Sequence, residues 1–97
     1  MTNQRCNDFR KILESLAPDV VFTHWPVDTR RDHRATCLLV FDAWLESRKR
    51  FALYYFEVMT GEQTSQFWPT HYVDITATEA RKRAVCYAHL SQNPDDF

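Results

Sequence analysis

The sequence predicts an α/β fold with a small, mostly parallel sheet flanked by helices. Two apolar runs, 20–23 and 51–58, carry the β-branched and aromatic residues of buried strands. Between them lies an apolar stretch of helix length. Strand, helix and strand in that order make a βαβ unit, so the two strands are expected to be parallel.

The first element spans about 3–16. Cys6, Phe9, Leu13 and Leu16 recur at intervals of three and four, the spacing of one helix face. Ala17-Pro18-Asp19 ends it, and Val20-Val21-Phe22-Thr23 is the first strand. After a loop running to His33, the second helix is apolar almost all round over 35–45. Thr29 is placed to cap it, with Asp32 three residues on in a capping-box arrangement and near the positive end of the helix dipole. Glu46-Ser47-Arg48-Lys49-Arg50 brings cations to the negative end. Residues 51–58 form the second strand, and 59–70 a polar loop with Gly61 and Pro69. Tyr72-Val73-Asp74-Ile75-Thr76 alternates as a third strand would. Thr76-Ala77-Thr78-Glu79 is a capping box opening a last helix towards Gln92, and 93–97 reads as a frayed end.

Ninety-seven residues make one domain, 1–97. Twelve Lys and Arg against thirteen Asp and Glu leave no charge excess for nucleic acid or a membrane surface. A single glycine excludes Gly-rich phosphate loops. There is no signal peptide and no long apolar run, and Cys6, Cys37 and Cys86 are far apart. These features point to a cytoplasmic chain whose cysteines are small core hydrophobes. A parallel sheet needs cover on both faces, and as few as three strands are thin for one. The expectation is the C-terminal part of a larger α/β domain.

Open parallel sheets bind ligands outside the carboxyl ends of their strands. The loop after the first strand therefore carries His24, Asp28, Asp32 and His33 to the default site, and imidazole with carboxylate suits Zn²⁺. Each residue also has a plain reading. His24 is a loop histidine bonded to backbone, Asp28 a turn former, Asp32 a cap and His33 a polar residue at a helix start. Cys86 and His89 are three apart on a helix, too little by itself for a metal site. Arg30, Arg31 and Arg34 read as a solvated face, with recognition of phosphate or carboxylate as the alternative.

Val20-Val21-Phe22-Thr23-His24-Trp25-Pro26-Val27-Asp28-Thr29, followed by Asp32-His33-Arg34-Ala35, resembles the PIG-L (LmbE-like) N-acetylglucosaminyl deacetylase family. The resemblance continues through Phe51-Ala52-Leu53-Tyr54-Tyr55-Phe56-Glu57-Val58 and Tyr72-Val73-Asp74-Ile75-Thr76, then to Lys82, His89, Ser91 and Gln92. It implies a Rossmann-like fold and a zinc-dependent hydrolase that removes acetyl groups from small N-acetylated amino sugars or related amides. The family's second motif reads His-x-Asp-His. By that motif His33 is a zinc ligand, Asp32 supports the first histidine, and that histidine acts as an acid or stabilises the oxyanion. Arg30 stands at the first histidine's position. An arginine can stabilise an oxyanion by charge but cannot return a proton near neutrality.

The family's first motif, Ala-His-Pro-Asp-Asp, supplies two zinc ligands and the aspartate that activates water. Nothing in this sequence matches it, and Asn93-Pro94-Asp95-Asp96 is only an echo without the histidine. The resemblance thus implies a truncated de-N-acetylase, inactive alone, that needs an N-terminal half or an oligomeric partner. The alternative is a non-catalytic remnant that binds a partner through exposed sheet and helix surfaces.

Overall fold

The computed structural model describes residues 3–58 and 62–88. The chain divides into two compact units, 1–67 and 68–97. In the first unit, helix α1 (Asn3–Leu16) is followed by strand β1 (Val20–His24), helix α2 (Arg31–Glu46) and strand β2 (Ala52–Phe56). The second unit holds a 3-10 turn, Thr76–Thr78, and helix α3 (Glu79–Tyr87). The described residues thus form a small α/β structure with three helices and a two-stranded sheet.

The expected βαβ unit is present. β1 and β2 pair in parallel with Val20 opposite Ala52 and His24 opposite Phe56. Side chains alternate across such a sheet. Val21, Thr23, Leu53 and Tyr55 share the face on which α2 lies, and Thr23 is buried there. Val20, Phe22, Tyr54 and Phe56 share the other face, where Phe22 is 61% exposed. Phe22 and Tyr54 stack on that open face at 5.6 Å.

α2 forms the core of this unit. Cys37, Val40 and Ala43, three residues apart, form one stripe and are buried with Phe51. The Trp44 indole N–H donates to the Phe51 carbonyl at 3.0 Å and fixes the approach to β2. The opposite stripe, Leu38, Phe41 and Leu45, is exposed, so the almost wholly apolar helix is covered on one side only. α1 lies on α2 through the expected face: Cys6, Phe9 and Leu13 are half-buried. Leu16 departs from that expectation and is exposed. An Arg10–Glu46 pair at 3.6 Å joins the two helices.

The helix ends correct two expectations. α2 starts at Arg31, four residues earlier than its apolar run, and its N-cap is Arg30, with no side-chain cap bond. Thr29 is drawn away because its N–H donates to the Gln63 carbonyl at 2.8 Å. At the other end, Arg48 and Lys49 both take left-handed backbone, at φ 60° and 61°. Their N–H groups close on Leu45 and Trp44 carbonyls at 3.0 and 2.9 Å, which satisfies two helix-end acceptors. The Lys49 ammonium sits 5.3 Å from the Trp44 ring centre. Ala17 ends α1 in the same way, at φ 46° with its N–H on the Leu13 carbonyl at 2.9 Å.

The third strand, 72–76, does not form. Tyr72 is 83% exposed, and the only strand pairing among the described residues is β1 with β2. Asp74 turns the chain instead. Its carboxylate accepts from the Thr76 N–H at 2.9 Å and from the Thr76 hydroxyl at 2.6 Å. Those two bonds hold the Asp74 carboxyl below its ordinary pKa. This occupies Thr76, so the expected capping box gives way to the 3-10 turn, and α3 begins at Glu79 with no side-chain cap bond. The expected continuation of that helix through His89 to Gln92, and the frayed end 93–97, lie outside the described residues.

Two substitutions test this account by chemical denaturation. Phe51→Ala is expected to lower stability by about 3 kcal/mol, the usual loss for a truncated core aromatic. Ala17→Gly is expected to raise it by up to about 1 kcal/mol, because glycine removes the Cβ strain of a left-handed helix end.

Candidate metal-binding site

β1 ends at His24, and the loop that follows turns back beside it. The Trp25 N–H donates to the Phe56 carbonyl at 3.2 Å, extending the β1–β2 ladder by one bond. The Trp25 indole reaches the Ser65 carbonyl at 2.9 Å and packs edge-on against Tyr55 and Phe67. Asp28 pairs with Thr64 in an isolated antiparallel bridge, and the Ser65 N–H donates to the Val27 carbonyl at 3.0 Å. The loop is thereby strapped to residues 63–65, and α2 leaves it with His33 in its first turn.

This arrangement brings together His24, Asp28 and His33, with one candidate ligand atom from each within 4.8 Å of the others. The Asp28 side chain has no exposed surface. Its Oδ1 accepts the Arg30 N–H at 2.8 Å, and its Oδ2 lies 3.0 Å from His33 Nδ1. The imidazoles of His24 and His33 stack with centres 3.9 Å apart and planes 5° apart. Phe56 packs against His24 at 4.8 Å. His24 Nδ1 is buried and has no hydrogen-bond partner among the described residues. A buried polar atom left in this way is costly, by about 1–3 kcal/mol, and marks a place where an ion or water belongs.

The expectations for individual residues come out unevenly. His33 is one of the three clustered residues. Asp28 makes the expected turn, its Oδ1 accepting the Arg30 N–H two residues on, and its buried Oδ2 also faces His33. His24 is not bonded to backbone through Nδ1; it is the second nitrogen of the cluster. Asp32 and Arg30 lie outside the trio and pair with each other at 3.8 Å, with side chains 72% and 63% exposed. Such a pair adds little to stability. Asp32 does not cap through a box with Thr29; its carboxylate accepts the adjacent His33 N–H at 3.1 Å. Arg34 is not simply solvated, since its guanidinium donates to the Asp28 carbonyl at 2.7 Å. Cys37 is buried as expected, and burial pushes its thiol up, which makes it inert. His89, the partner considered for Cys86, lies outside the described residues.

The donor set, two imidazole nitrogens and a carboxylate oxygen, is the chemistry that Zn²⁺ takes. Imidazole lone pairs lie in the ring plane. Two parallel stacked rings therefore cannot both reach one ion until one of them turns. No helix among the described residues is long and apolar enough to cross a membrane. No family model, curated protein or solved structure matches the chain.

The electrostatics of the cluster make its stability depend on pH. Burial, then repulsion from His33, lowers the pKa of His24 below the ordinary 6.5, against a smaller pull from Asp28 and Asp32. Below that value the unfolded chain takes up a proton at His24 that the folded chain resists, so stability falls as pH falls. Burial alone would raise the Asp28 carboxyl. The Arg30 N–H and His33 together outweigh it, and the net shift is below 3.8. Asp28 thus stabilises the fold above 3.8, and that contribution is lost as pH falls through its lowered value. The urea midpoint is expected to begin falling below about pH 6.5, and His24→Asn should remove this first step while leaving the more acidic one. An unchanged profile in His24→Asn would assign the first step to another group.

Proposed function

We propose that this chain carries the second-motif side of a zinc-dependent de-N-acetylase site of the PIG-L type, within a Rossmann-like domain of which it forms the C-terminal part. The observation that carries this reading is the meeting of His24, Asp28 and His33 just past the carboxyl end of β1. The run from Val20 to Ala35 that resembles the family contains all three.

In this reading His33 would hold the zinc, and His24, with its unsatisfied Nδ1, is the adjacent nitrogen donor. Bound Zn²⁺ supplies a Lewis acid for an amide carbonyl and lowers the pKa of water. Arg30 supplies a fixed positive charge for a developing oxyanion, with Asp32 orienting its guanidinium. It cannot protonate the departing amine, which the family's histidine can do. The water-activating aspartate has no counterpart in this sequence, so we assign hydrolysis to this chain only together with a family N-terminal half. The substrate class is a small N-acetylated amino sugar or related amide, in the cytoplasm.

One observation favours the alternative of a non-catalytic, partner-binding remnant. Val20, Phe22 and Phe56 on the open sheet face and Leu38 and Leu45 on α2 are exposed, and surfaces of this kind invite association.

Zinc titration of the purified chain, followed by acetate release with a family N-terminal half in trans, separates the two readings. The deacetylase reading expects zinc uptake that His33→Ala abolishes and acetyl release only in the mixture. Arg30→His should raise that rate, by about 10²-fold or more where proton return is limiting. No zinc uptake, together with no acetate even for Arg30→His, would sink it. Zinc-independent self-association in sedimentation would favour the remnant.

A further inference from the structure

Each oxygen of the buried Asp28 carboxylate has its own donor. Oδ1 takes the Arg30 N–H at 2.8 Å, and Oδ2 faces His33 Nδ1 at 3.0 Å. An ionised carboxylate only accepts hydrogen bonds, so the hydrogen in the second contact belongs to His33 Nδ1. The backbone beneath the carboxylate is itself held, by the bridge to Thr64 and by the Arg34 guanidinium on the Asp28 carbonyl at 2.7 Å. His24 lies flat on the His33 ring at 3.9 Å and limits its tilt.

We propose that Asp28 is the positioning residue of His33: it holds the imidazole as the Nδ1–H tautomer and leaves Nε2 unprotonated, so that its lone pair is the one offered to a divalent cation. The His24, Asp28 and His33 cluster is then two nitrogen donors and a carboxylate that aims one of them, not three equal ligands. Carboxylates serve metal-binding histidines in this way by fixing both tautomer and ring direction. The tautomer follows from the geometry of the chain without metal, whereas the role of Nε2 towards a cation rests on the zinc reading above.

The test is the ¹⁵N spectrum of the metal-free, histidine-labelled chain, with His33 signals identified by their loss in His33→Gln. A protonated, pyrrole-like Nδ1 and a pyridine-like Nε2 are expected in the wild-type chain, and Asp28→Asn is expected to erase that preference. Added Zn²⁺ should move Nε2, and Asp28→Asn should weaken zinc binding by about 10–100-fold. A pyridine-like Nδ1, or zinc shifting Nδ1 in place of Nε2, overturns the proposal. The expected tautomer without any zinc uptake upholds the positioning and removes the zinc reading instead. If Asp28→Asn does not fold, the wild-type spectrum alone still decides the tautomer.

Discussion

The loop between β1 and α2 depends on one buried carboxylate. Taking Asp28 out of water is unfavourable unless both oxygens are satisfied, and Arg30 of the loop and His33 of α2 each supply a donor. That requirement explains several otherwise separate features. α2 begins at Arg31 because the Arg30 N–H is turned inward to Asp28. Arg34 folds back on its own helix start to meet the Asp28 carbonyl. His33 faces the carboxylate, which leaves its ring in position to stack on His24. The candidate site is therefore a by-product of satisfying Asp28 as much as an arrangement of ligands.

The surrounding scaffold is one-sided. α2 covers one face of a two-stranded parallel sheet, and the other face presents Val20, Phe22 and Phe56 to solvent. Parallel strands are ordinarily covered on both faces. α2 repeats the pattern at the level of a single helix, with a buried stripe of Cys37, Val40 and Ala43 and an exposed stripe of Leu38, Phe41 and Leu45. The elements have the composition of a fully buried layer, and the described contacts cover it on one side.

Much of the fold was legible where a strong period governs it. Cys6, Phe9 and Leu13 mark the inner face of α1, and the apolar runs mark β1 and β2 and require them to be parallel. The sequence misled where local side-chain bonds compete with the period. The alternation of Tyr72-Val73-Asp74-Ile75-Thr76 suits a strand, but Asp74 bonds Thr76 two residues on and makes a turn. Thr29 has the right type and spacing for a cap, but a backbone partner from residue 63, remote in sequence, takes its N–H. At the site, the fold class alone carries His24, Asp28, Asp32 and His33 to the end of the first strand, but a strand-end histidine and a loop aspartate each keep an ordinary reading that the sequence leaves open. Only the fold shows that His24 is stacked on His33, that Asp28 is buried and that Asp32 stands exposed outside the cluster.

The strap between the site loop and residues 63–65 also bears on the order in which the structure assembles. Asp28 reaches its bridge partner Thr64, and the Trp25 indole its acceptor Ser65, across a separation of forty residues in the second case. Closing a loop of that length loses chain entropy before any contact repays it. α1 and α2 need only neighbouring residues to form, whereas the cluster around His33 needs β2 docked and the strap closed. Loop-closure entropy thus makes the histidine cluster an expected late step of folding, with the Trp25 indole bonded across that closure.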